Sequence, residues 1–177
     1  MATIMTVTPE NPAEACAFVV GDDGLSRWSD THADAWVGFL ETYKRLTRAL
    51  DAELEARHGL GLSALEVLGR LAAAERRKLR LSTLAAETGL SLSRISRIMD
   101  ALARRGLAVR RPCPEDSRAV NAHLTDEGLA LVRKAQATHF AGVQSQFFDT
   151  LSPEEVATLA TVFGRFAPRA VAECVTD

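Results

Sequence analysis

The chain has 177 residues, is 47% hydrophobic and carries a formal charge of −2, which fits one ordinary domain or a domain with an extension. No run approaches the roughly 18 apolar residues that span a bilayer, and the N-terminus lacks the basic lead and unbroken apolar core of a secretory signal, so a cytoplasmic location is expected. Cys16, Cys113 and Cys174 are odd in number and lack C-x-x-C spacing, which argues against a disulfide framework or a structural zinc site.

Residues 1–30 show no clear periodicity and contain the turn signal Gly21-Asp22-Asp23-Gly24, so they read as a partly mobile N-terminal extension. A long helix is predicted from about Thr31 to Arg57, with Trp36, Phe39, Leu40, Tyr43, Leu46 and Leu50 at helical spacing. Ser63-Ala64-Leu65-Glu66 reads as a capping box opening a helix to about Ala74. Glu75 to Arg80 reads as a short polar connection. Ser82 is a candidate cap for a short helix to Thr88, which Gly89 ends.

Ser91 caps the next predicted helix, which runs to about Arg105. Leu92, Ile95, Ile98, Met99 and Leu102 form its expected buried stripe, leaving Ser93, Arg94, Ser96, Arg97 and Asp100 on the other face. After Gly106, residues 107–110 and 119–124 read as antiparallel strands, separated by the turn-rich segment PCPEDS that continues neither. Thr125 caps a long helix to about Phe148. Ser152-Pro153-Glu154-Glu155 is a capping box with proline at the first helical position. It opens a last helix with Val156, Leu159, Val162, Phe163 and Phe166 inward.

Two distributions add to this order. Residues 75–118 hold eleven basic side chains against five acidic ones. That surplus of six, within a chain of −2, leaves −8 for the rest, so a basic module sits in acidic surroundings. All ten aromatics lie outside residues 44–139. The middle is therefore a small aliphatic core. The ends carry too much apolar surface for a thin bundle, and a core shared across a two-fold dimer accounts for it better.

Helix, tight turn, helix and basic hairpin together describe a winged helix-turn-helix that touches a DNA groove and its phosphates. The expected fold class is mainly α with a small β-wing: the winged helix-turn-helix plus N- and C-terminal dimerisation helices. The division would be 1–30 extension, 31–62 dimerisation helix and turn, 63–124 DNA-binding lobe and 125–177 dimerisation helices. Asp116-Ser117-Arg118 with Leu124-Thr125-Asp126-Glu127-Gly128 resembles the D-x-R…L-T-x-x-G signature of MarR-type regulators. The preceding SLSRISRIMDALARRGLAVR is similar to that family's recognition helix and first wing strand, and the resemblance covers roughly residues 35–170.

The resemblance implies a homodimeric transcriptional regulator, a repressor by preference, on a pseudo-palindromic operator in double-stranded DNA. The expected DNA contacts are Ser91, Ser93, Arg94, Ser96, Arg97, Arg110 and Arg111, with Arg118 in a flanking minor groove held by Asp116. Many members of the family release DNA when a phenolic or aromatic acid enters a crevice. His32, Trp36 and Tyr43 are the candidate lining, with packing the plainer role for each. Redox sensing through Cys113 or Cys16 is an alternative, as is a winged helix that binds protein without DNA. The four histidines are scattered, no H-E-x-x-H, G-x-S-x-G or phosphate-binding loop occurs, and neither catalysis, a cofactor, a metal nor a membrane partner is expected.

Overall fold

The computed structural model describes residues 18–113 and 116–166, without the side chains of residues 116–119. Cys16 and Cys174 lie outside the described residues. The chain divides into two compact units, one ending at Arg45 and one beginning at Leu46.

In the first unit, β1 (Phe18–Val20) and β2 (Ser26–Trp28) pair antiparallel in a hairpin within the stretch where the sequence shows no periodicity. Three-residue strands are too short to display an alternation. Asp23 holds the turn by accepting from the Leu25 backbone N–H at 3.0 Å and pairing with Arg27. Helix α1 (Asp30–His58) then begins, and only Leu50 and Leu54 of its 29 residues are buried.

The second unit holds α2 (Leu62–Ala73), β3 (Lys78–Arg80), α3 (Leu81–Thr88), α4 (Leu92–Arg104), β4 (Ala108–Cys113), β5 (Asp116–Leu124), α5 (Asp126–Gln146) and α6 (Pro153–Phe163). Its core is wholly aliphatic, with Leu68, Leu71, Leu84, Ile95 and Met99 fully buried. The strands order β3-β5-β4, all antiparallel. Residues 75–80 are thus a 3₁₀ turn and a third strand, not a plain connection. Cys113 and Asp116 extend the hairpin into the segment expected to be turn.

Two helix starts differ from expectation. Gly61, not Ser63, is the N-cap of α2, and the Leu62 N–H donates to Asp51 of α1 at 2.7 Å. A carboxylate from another element thereby replaces the local serine. Likewise α3 begins at Leu81 behind Arg80, which leaves Ser82 inside the first turn. Ser152 does form the full capping box with Glu155.

The Leu124-Thr125-x-x-Gly128 corner has a steric explanation. Thr125 accepts from the Gly128 N–H at 3.0 Å and donates to the Gly106 carbonyl at 2.8 Å. A Cβ at Gly128 would strike the carbonyl oxygen of Leu107. Only glycine lets α5 start against the end of the recognition segment.

Candidate nucleic-acid interface

Ser91 caps α4 by accepting from the Arg94 N–H at 3.3 Å, and its hydroxyl lies 3.0 Å from that of Ser93. Ile95, Met99 and Leu102 are buried, so the opposite face, with Ser93, Arg97 and Asp100, turns outward. Arg94 leans back to the hydroxyl of Ser63 at the start of α2, 3.3 Å away. Leu92 departs from the expected stripe: it is 54% exposed. As the first helical residue it projects beyond the edge of the aliphatic core that its helical phase would otherwise reach.

Arg110 and Arg111, expected to act alike, are separated by strand alternation. Ala108 is fully buried, so Arg110, two residues on, shares the core-facing side of the sheet while Arg111 faces out. Arg110 Nη2 donates to the Ser96 carbonyl at 2.6 Å and to its hydroxyl at 2.9 Å, and pairs with Asp100 at 2.9 Å. Arg110 is therefore a strut between β4 and the recognition helix. Ser96 and Asp100 are its seats.

A second strut lies at the other end of the helix. Arg105, the C-cap of α4, donates to the carbonyls of His58 and Gly59. The His58 ring meets the Thr138 hydroxyl at 2.8 Å, so the end of α1, α5 and α4 are tied together.

On the outer face of the sheet, His123 lies opposite Lys78, and Asn121 opposite both Arg80 and Arg111. Partial burial, then the charges of Arg111 and Lys78, hold the His123 imidazole below its usual pKa. Lys78 and Arg80 join the basic wing through a strand the sequence reading missed. The polar–apolar–polar order Lys-Leu-Arg is its one trace. Arg80 Nη2 reaches the Sγ of buried Cys113 at 3.7 Å. Asp116 and Arg118 fall on β5, and their side chains lie outside the described part.

The aromatic ends are exposed. His32 bonds with Ser29 at 2.9 Å, Trp36 stacks on Phe39 with centroids 6.1 Å apart, and Tyr43 is 60% exposed. Residues 32, 36 and 43 share one side of α1 at helical spacing. No residue of α6 is buried, and Phe140, Val162, Phe163 and Phe166 are exposed. Among the described residues no cluster of His, Cys, Asp or Glu has a metal-binding arrangement, and no helix is long and apolar enough to cross a membrane.

A family model described as MarR family matches residues 58–119. AbsC, a MarR family transcriptional regulator from Streptomyces coelicolor, is similar at 34% identity and a TM-score of 0.73, over 79% of this chain and 95% of that one. Sco3205, a MarR family transcriptional regulator from the same organism solved in complex with DNA, is similar at 28% identity and a TM-score of 0.74, over 81% and 96%. The HTH-type transcriptional repressor YetL of Bacillus subtilis is 26% identical, over 79% of this chain and 87% of its own length. With a winged helix-turn-helix of this geometry and a relative this similar along nearly its whole length, the chain belongs to the MarR family: it is a DNA-binding transcriptional regulator and not an enzyme.

Proposed function

We propose that this regulator is a homodimeric repressor, acting in the cytoplasm, that binds a pseudo-palindromic operator and leaves it when a small aromatic or phenolic acid binds. The observation that carries the reading is the pairing of a braced recognition helix, bare along Ser93 and Arg97, with apolar side chains left uncovered on α1, α5 and α6. The relative named as a repressor and the relative held on DNA support it.

Residues 63–124 form the DNA-reading lobe, 31–62 and 125–177 the dimerisation helices, and 1–30 an extension. Ser93 and Arg97 meet base edges in the major groove, Ser91 and Arg94 the adjoining phosphates, and Arg111 the backbone beside the wing. Arg110 and Ser96 hold the helix instead of touching DNA. Arg118, on the strand that completes the wing, is the candidate for a flanking minor groove. His32, Trp36 and Tyr43 line the effector's seat.

The test is selection of duplexes from a random pool, followed by mobility shifts at fixed salt. Enrichment of a two-fold symmetric site is the expected result. Failure to enrich any sequence would favour a winged helix that binds protein. Release of that site by members of a phenolic acid panel, with calorimetry showing that they bind, would establish the sensor. A panel without effect would leave a regulator set by its abundance alone.

A further inference from the structure

We infer that Leu92 is a specificity-determining residue, which reads the 5-methyl group of a thymine in the major groove. The inference rests on the DNA-binding reading above and deepens it.

Leu92 is the first residue of α4, and the N-terminal residues of a recognition helix are the ones that reach base edges. More than half of its surface is open to solvent. Its neighbours in sequence are the exposed serines Ser91 and Ser93. Leu92 and Arg94 are two apart and so project to nearly opposite sides of the helix. Because Arg94 leans toward Ser63 on one side, Leu92 occupies the other, one turn before Ser96. Ile95, three residues on, is fully buried whereas Leu92 is 54% exposed, so Leu92 stands at the margin of the core with more than half of its surface outside it.

A bare leucine on the leading turn of a polar helix has a chemical use there. A base pair offers one apolar group in the major groove, the thymine methyl, and apolar side chains recognise it by contact. The surrounding charge suits the same partner: Arg94, Arg97 and Arg111 bring the phosphates close, and desolvation of methyl against leucine follows. Serines and arginines alone would leave a thymine distinguishable only through its O4 acceptor.

The experiment uses the full chain and the duplex it enriches. Each thymine of a half-site is replaced in turn by deoxyuridine, which lacks only the methyl. One such replacement, made in both half-sites, should weaken the wild type about fifteenfold, a little under fourfold per methyl. Leu92→Ala should bind the thymine duplex more weakly and be indifferent to that replacement, while Leu92→Ile should keep the dependence. Since the side chain is largely exposed, circular dichroism should report an unchanged fold for both variants. Wild-type affinity that ignores every uracil would overturn the inference, as would a Leu92→Ala variant that keeps the full thymine dependence. Either result would leave the DNA-binding reading standing. That reading falls only if no duplex is enriched at all.

Discussion

Gly128 illustrates how much a single side chain decides. Its α-carbon faces the Leu107 carbonyl so closely that a methyl group would collide with backbone, and backbone cannot turn aside as a flexible side chain does. Gly128→Ala should therefore destabilise by about 1–3 kcal/mol or somewhat more. The midpoint of urea unfolding should fall with an unchanged slope, and an unaltered midpoint would refute the steric account. The arginines show the limit of residue-level reading. Sequence places Arg110 and Arg111 side by side in a basic run. Only the register of β4 against β5 reveals that one braces Ser96 and Asp100 while the other faces outward. The exposure of Leu92 has a related cause. Helical phase assigns it to the buried stripe, but phase carries no information about where the core ends along the axis.

The elements were legible where they were long or capped within their own sequence. The helices over 30–58, 92–104, 126–146 and 153–163 follow from periodicity with Ser91, Thr125 and Ser152 as caps. The helix over 62–73 was legible to within a residue or two at each end, but its cap was not, because Asp51 bonds its first N–H from eleven residues away. The hairpin over 18–28 and the strand at 78–80 were too short to leave a pattern. That third strand has an energetic consequence. Partial burial, and after it the charges of Arg111 and Lys78, disfavour the protonated His123 ring, so protonating this imidazole is harder in the folded chain than in the unfolded one. The unfolded state then binds the extra proton. The group leaves stability unchanged above the unfolded value near pH 6.5 and lowers it as pH falls through that value toward the folded one. Urea midpoints measured from pH 7.5 to 5 should drop more steeply for the wild type than for His123→Gln. Parallel curves would mean that the sheet imposes no such cost.

At the scale of the molecule, the apolar ends remain uncovered. Phe163 is 42% exposed in the single chain, on a helix with no fully buried residue. With about two fifths of the side chain left to cover, placing it against a second copy is worth roughly 0.6–1.3 kcal/mol for each of two symmetric side chains, so Phe163→Asp should raise the dimer dissociation constant by roughly 10–10². Light scattering over a concentration series would measure this. A wild type that stays folded and monomeric at micromolar concentration would contradict the dimer. Amphipathic periodicity announced these surfaces but could not say whether the same chain covers them, since the pattern is identical for an intramolecular and an intermolecular partner.

The segregation of aromatics also governs what light can report. Trp28, Trp36 and Tyr43 all belong to the unit that ends at Arg45, and the unit from Leu46 onward has phenylalanine alone. The second unit contains no indole of its own, while far-ultraviolet dichroism is dominated by its helices. The two signals together act as a natural pair of labels. Coincident melting curves would mean that α1, which crosses the boundary, joins both units into one cooperative transition. Separate midpoints would mean that each unit melts on its own, and that a melting temperature taken from tryptophan alone describes the first unit and not the second.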